Sequence, residues 1–294
     1  MIWGIPKSSE VIAFRLPSHM SYEIRCSETE RGPMSSQPKG YVDTTYLDTV
    51  QRLLNDYKRL TYEQMHIKPG QKVLDVGCGP GTDTIPLARQ VSPSGQIIGV
   101  DYDEKMIVEA EQRAQKTGVS AWVIHKCANA NELPFESDYF DACRAERLFE
   151  HLLNPVKALS EMVRVTKSSG WIVVLDSDWG SLSIDTSEIE TERRYVRFFT
   201  ENMANNGYSG RQLYRLFKQQ GLVDVSAQMC GVPFTDYSST RQMLIMDRTE
   251  HEAIASATIT HLELDRLHTC WEQAHADGDF FASMSMILVS GCKP

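Results

Sequence analysis

The segment Val73-Leu74-Asp75-Val76-Gly77-Cys78-Gly79-Pro80-Gly81-Thr82-Asp83 constrains this chain more than any other. An apolar run of strand length leads straight into glycines at alternate positions, 77, 79 and 81. Glycine reaches positive φ without steric cost and has no Cβ, so a ligand can lie directly against such a turn. A helix starting just after it offers unpaired N–H groups and a positive dipole end, which suit a carboxylate or phosphate. Open α/β sheets bind ligands at the carboxyl ends of parallel strands, so this use of the loop demands a parallel sheet.

The rest of the chain supplies one. Apolar runs at 72–76, 96–101, 121–125, 140–145 and 171–176 read as strands, and 83–90, 103–117 and 155–166 read as helices between them. Ser92-Pro93-Ser94-Gly95, Gly118 and Ser168-Ser169-Gly170 provide turns. Asn154-Pro155 is an N-cap followed by a residue suited to the first helical position, and Pro86 falls in a first turn where its missing N–H costs little. This alternation predicts an α/β protein with a doubly wound, mostly parallel sheet. Upstream, Val42, Tyr46, Val50, Leu53, Tyr57 and Leu60 recur on one face of a helix. Residues 1–40, with four prolines and seven serines, read as an irregular arm, leaving 41–294 as one domain. Beyond Asp176, helices are expected at 187–205, 210–220 and across 238–276, and strands at 222–230 and 280–290. The stretches 181–215 and 236–276 are expected as lid-like insertions on one continuous sheet.

Composition narrows the partners. Thirty Lys and Arg against 39 Asp and Glu leave a formal charge of −9. A field of that sign repels nucleic acid and anionic membranes, and no local basic patch offsets it. No apolar run approaches the length of a membrane span, so stable membrane insertion is not expected. The seven cysteines are scattered without CxxC spacing, which suggests neither a metal site nor a disulfide framework. A reduced, cytoplasmic protein is expected, and a homo-oligomer is compatible with the sequence.

Two cofactor classes use a loop of this kind. A dinucleotide site asks for GxGxxG, whereas position 82 is Thr. Asp101, 20 residues beyond Gly81, closes the second strand and can accept both hydroxyls of a ribose in either class. The spacing by itself leaves both open.

The segments VLDVGCGPGT, GVDYDEKM and ANANELPFESDYFD, in this order, resemble the class I S-adenosylmethionine (SAM) dependent methyltransferases. They fall in the ubiquinone/menaquinone-methyltransferase-like (type 11) branch. The likeness covers about residues 60–178, and DGDFFASMSMILVSGCKP resembles that family's last strand. It implies a seven-stranded Rossmann-like sheet in the order 3-2-1-4-5-7-6 with the last strand antiparallel. It implies SAM as cofactor, with S-adenosylhomocysteine (SAH) as product. Gly77, Gly79 and Gly81 would then line the methionine part, and Asp101 the ribose. Tyr102 and Met106 would pack on the adenine, and Asn129-Ala130 would sit at its edge. Asn129 replaces the family's usual acid, but an amide oxygen still accepts a hydrogen bond. Asp75 is expected to order the glycine loop through backbone N–H groups or to approach the SAM amino group indirectly. Arg144 is expected at a strand's carboxyl end, facing the cofactor carboxylate or an acidic acceptor. His151, near the next turn, is a candidate general base.

The acceptor is expected over the strand ends. Trp179, Phe198 and Tyr208, with Tyr46 on the leading helix, suggest an aromatic cavity and hence a small hydrophobic acceptor. The expected activity is methyl transfer by in-line displacement, with no metal required. A SAM-binding regulatory protein without activity and a dinucleotide-dependent oxidoreductase are the alternatives.

Overall fold

The computed structural model describes residues 44–294, with side chains from Leu54 onward. The 1–40 arm and the side chain of Tyr46 lie outside the described residues. Helix α1 (Thr44–Gln64) precedes the sheet. At the centre stands β1 (Lys72–Val76), parallel to β2 (Gln96–Asp101) on one side and β4 (Phe140–Glu146) on the other. Outside these, β3 (Val123–Cys127) pairs in parallel with β2, and β5 (Thr166–Ile184) with β4. β7 (Ala282–Cys292) runs antiparallel between β5 and β6 (Val223–Phe234). The order β3-β2-β1-β4-β5-β7-β6 is the expected one.

The central strands β1, β2 and β4 and the core of β5 are buried almost throughout because both faces of the sheet are covered there. Successive side chains alternate between faces. Val73 joins Ile97, Val123, Ala142 and Val173 in one core, while Leu74 and Val76 join Ile98, Val100, Cys143 and Val174 in the other. Helices α2 (Thr84–Val91), α3 (Glu104–Lys116) and α4 (Pro155–Val165) fill the crossovers. Their starts follow the sequence: Asp103 accepts the Lys105 N–H at 2.8 Å, and Asn154 accepts the Lys157 N–H at 3.1 Å. Further on come α5 (Ile189–Met203), α6 (Ser209–Gln219), α7 (Tyr237–Met243), α8 (Met246–Ala255) and α9 (His261–Asp277), the last opened by a Thr260–Glu263 capping box. Among the described residues no helix is long and apolar enough to cross a membrane.

Four expectations need correction. Ser168-Ser169-Gly170 is not a turn between elements but a bulge inside β5, where the register with β4 shifts and Ser169 takes φ +65°. β3 starts two residues late, because the Trp122 N–H is still bonded to the Val119 carbonyl in the turn after Gly118. After residue 181, where an insertion is expected, β5 continues to Ile184, and α6 packs Leu213, Leu216 and Phe217 into the sheet core. Cys127 is disulfide-bonded while Cys78, Cys143, Cys230, Cys270 and Cys292 are free, so the cysteine set is not uniformly reduced. Spacing along a chain cannot reveal pairs that only the fold brings together.

Gly99 in β2 marks the tightest approach of sheet and site: a Cβ there would stand 2.8 Å from His125 and 2.9 Å from Cys78 and Thr84. Gly99→Ala should cost about 1–3 kcal/mol by overpacking, whereas Gly231→Ala, with nothing within 4 Å of the new methyl, should change stability by no more than about 0.5 kcal/mol. Urea unfolding of both variants checks the contrast.

Candidate active site

The loop between β1 and α2 is built on left-handed backbone, with φ of +72°, +51° and +78° at Gly77, Gly79 and Gly81. Its first turn is tied to β2, since the Gly77 and Cys78 N–H groups both donate to the Val100 carbonyl, at 2.8 and 3.0 Å. Its middle is held by Asp101. One carboxylate oxygen accepts the Gly79 N–H at 2.9 Å, and the other accepts the Asp103 N–H at the same distance. Burial pushes the Asp101 carboxyl up from its ordinary range, opposed by those N–H bonds. Beneath the loop, Thr84 Oγ1 donates to the Gly81 carbonyl at 3.1 Å and lies 2.9 Å from His125 Nε2.

The expected adenine-side residues gather at the ends of β2 and β3. Tyr102 follows Asp101 and is well exposed, and Met106 is buried on α3. Asn129 folds its side chain back, Oδ1 accepting the Asn131 N–H at 2.9 Å in a turn that carries Ala130.

Beneath the loop on the β4 side lies a buried ionic cluster. Asp75 and Arg144 are register partners on β1 and β4, and Arg144 Nη1 stands 3.1 Å from Asp75 Oδ1. Arg144 also reaches Asp83 at 3.3 Å and Glu146 at 2.9 Å, with Tyr62 under its guanidinium. Lys58 of α1 bonds Asp83 at 2.7 Å and Glu146 at 2.9 Å, and the Tyr62 hydroxyl donates to Asp83. Burial drives the Asp75 carboxyl up to about 7, Arg144 opposing and Asp83 and Glu146 adding to the rise. Two expectations change here. Arg144 is 1% exposed and engaged by three carboxylates rather than presented as a free guanidinium. Asp75 turns to Arg144, and it is Asp101 that orders the loop through a backbone N–H. Asp75 Oδ2 and Arg144 Nε are buried without hydrogen-bond partners among the described residues.

On the other side of the site, after β4, a single 3-10 turn (Phe149–His151) carries Glu150 and His151. His151 Nε2 stands 3.5 Å from Glu150 Oε1, and the Trp179 indole N–H donates to Glu150 Oε2. Asp176 at the end of the core of β5 accepts the Phe149 N–H at 2.7 Å, the Ser177 N–H at 3.0 Å and the Ser209 hydroxyl at 2.5 Å. Burial first, and then the neighbouring Glu150 charge, push the Asp176 carboxyl up to about 7. Residues 205–208 close over this turn. The Asn206 N–H donates to the Glu150 carbonyl, Asn205 Nδ2 to the His151 carbonyl, and the Trp179 N–H to the Gly207 carbonyl. His151, Trp179 and Tyr208 are thereby brought together. Trp179 is buried edge-on to Phe199 at 5.4 Å, so it backs the site rather than opening onto it. Phe198 is half-buried on α5, and Tyr208 packs against Gly180 under the Arg211 guanidinium.

Lys58, Tyr62, Asp83, Glu150 and Asp176 were not singled out from sequence. A signal existed for Lys58: it falls between Leu54 and Tyr62, each four residues away, on a buried helix face.

A doubly wound sheet, a glycine loop and a ribose-type acid at the end of β2 define a Rossmann-like enzyme that binds a nucleoside cofactor. The profile of the methyltransferase-domain family matches residues 67–221, more than half the chain, and the chain belongs to that family. A 37.1 kDa uncharacterized protein encoded in transposon TN4556 of Streptomyces fradiae is 32% identical over 249 residues, 84% of this chain and 70% of its own length. A ubiquinone/menaquinone biosynthesis C-methyltransferase of Vibrio campbellii is 35% identical over 120 residues, 41% of this chain, and the chain spans 46% of that protein. Among solved structures, YcgJ of Bacillus subtilis shares the fold, with TM-score 0.59 and 21% identity over 81% of this chain and 98% of that one. The protein is thus a SAM-dependent methyltransferase, and the dinucleotide alternative falls away. The site fits the cofactor: a loop with glycine at every second position, an acid at the end of β2, and an orphaned buried acceptor and donor beneath.

A carboxyl whose folded value lies above its unfolded one takes up a proton on folding. Its contribution is greatest at low pH and is lost as pH rises through the folded value, here about 7 for Asp176. Glu150→Gln removes the neighbouring charge, so between pH 5 and 8 the variant should lose less stability than the wild type. Urea unfolding across that range measures it, and parallel curves would show that the two carboxyls do not interact.

Proposed function

We propose that this enzyme moves the SAM methyl group by in-line displacement to a nucleophilic atom of a small, hydrophobic or aromatic acceptor, with His151 receiving the proton that atom releases. The observation that carries this reading is the convergence of the His151 turn, Trp179 and Tyr208 one strand over from the glycine loop, held by the hydrogen bonds from Asn205, Asn206 and Trp179. SAM supplies a methyl carbon already activated by its sulfonium, so the protein contributes mainly alignment.

The residues divide that work. Gly77, Gly79 and Gly81 offer bare backbone to the methionine end, and Asp75 Oδ2 and Arg144 Nε offer a buried acceptor and donor to its charged groups. Asp101 retains lone pairs for the ribose hydroxyls after accepting two N–H bonds. Tyr102, Met106, Asn129 and Ala130 border the adenine. On the acceptor side, the Glu150 carboxylate beside His151 favours the imidazolium that forms when the ring takes a proton. Phe198 and Tyr208 give the acceptor aromatic walls. The quinone-pathway name of the Vibrio relative is in keeping with a ring-bearing acceptor, and the charge of −9 argues against a polynucleotide.

Asp101→Ala should weaken SAH binding by about 10–100-fold, as expected for losing hydrogen bonds to a charged group. His151→Ala should leave SAH affinity unchanged and lower kcat by about 100-fold. Calorimetry and turnover of labelled SAM in cell extract check both. Label recovered only in protein or RNA, or unaltered SAH affinity in Asp101→Ala, would overturn the reading.

A further inference from the structure

We propose that Lys58 and Tyr62 are positioning residues for the cofactor loop, and that they make docking of α1 and binding of the cofactor one coupled equilibrium. This rests on the cofactor reading above. Asp83 occupies the N-cap of α2, yet its side chain makes no capping bond. Both of its oxygens go elsewhere: Oδ1 accepts the Tyr62 hydroxyl, and Oδ2 accepts Lys58 Nζ at 2.7 Å while facing Arg144 at 3.3 Å. The residue that closes the glycine loop is therefore held by α1 rather than by its own helix.

Lys58 does more than hold Asp83. Its ammonium also lies 2.9 Å from Glu146, the last residue of β4. One buried side chain from α1 thus bridges the end of the cofactor loop and the strand that leads into the His151 turn. Lys58 is 4% exposed and Tyr62 9%, so neither is a solvated surface charge or hydroxyl. Away from the cluster, α1 makes two further polar anchors, Tyr57 OH to the Gly231 carbonyl at 2.5 Å and Gln64 Oε1 from Ser290 at 3.0 Å.

Two buried atoms of the cluster are placed to bond a ligand. Asp75 Oδ2 and Arg144 Nε have no partners among the described residues, although the groups around them satisfy one another. A glycine-rich segment has many backbone conformations open to it, and fixing Asp83 selects among them. A ligand that favours the selected conformation, or fills the two vacant positions, strengthens the assembly to which Lys58 and Tyr62 belong. Linkage then works in both directions: what holds α1 favours the cofactor, and the cofactor favours α1.

The test uses the full chain and SAH. In the wild type, saturating SAH should slow amide hydrogen exchange across 54–64 by about fivefold or more, the response expected of a linked local opening. Affinity by calorimetry should fall about fivefold in Tyr62→Phe and more than about tenfold in Lys58→Met, as when a buried hydrogen bond or charge partner is lost. Lys58→Arg should recover part of the loss, and the exchange response should vanish in Tyr62→Phe. If Lys58→Met does not fold, Tyr62→Phe, which loses a single oxygen, decides. Wild-type SAH affinity in Tyr62→Phe, or α1 exchange indifferent to bound SAH, overturns the coupling. Absence of any SAH binding by the wild type overturns the cofactor reading as well, so the two failures are distinct.

Discussion

Ionised groups taken out of water survive only opposite one another, and that requirement organises the centre of this molecule. Lys58 and Arg144 face Asp75, Asp83 and Glu146 in a dry space between α1, β1, the loop before α2, and β4. None of these residues can be placed independently of the others. The glycine loop lies directly over them, so its shape is set from below by charge and from the side by Asp101. Flexible backbone is useful to a ligand only when something else fixes it.

A second group of acids sits across the site, with a different solution to the same problem. Glu150 and Asp176 are held chiefly by hydrogen-bond donors, with Arg147 and His151 as the nearby cationic side chains. Ser209 matters here because its hydroxyl lies within reach of both Asp176 and the Ser177 carbonyl. It can donate to an ionised Asp176, or accept from a protonated one while donating to the carbonyl. That freedom suits a carboxyl whose titration lies far above its usual range.

Much of this architecture was legible from residue order. The strand-then-glycines segment, the acid closing the second strand and the cap residues Asp103 and Asn154 act locally, and local signals survive in sequence. What escaped was non-local. Arg144 in Ala-Cys-Arg-Ala and Asp75 in Val-Leu-Asp-Val each place a charge inside an otherwise apolar strand. Each alone reads as a feature of a strand end, and only the register that sets them side by side shows that they answer each other. The bulge at Ser168-Ser169-Gly170 misled for a related reason. Its residues have turn chemistry, but β5 pairs with β4 before and after them, at Thr166 and Trp171, and Ser169 and Gly170 bond the backbone of Lys293.

The placement of β7 has a consequence for how the molecule is made. Because β7 lies between β5 and β6, β6 has no strand neighbour until the ribosome has passed the 280s. A strand left waiting invites pairing with other nascent chains. From Val223 to Met229, β6 carries Asp224, Ser226 and Gln228 at every second position, and its buried residues are confined to the far end at Cys230, Val232 and Phe234. The polypeptide thus emerges with hydrophilic groups interleaved along its latest-satisfied strand, which lowers the tendency of a half-made sheet to seed aggregation.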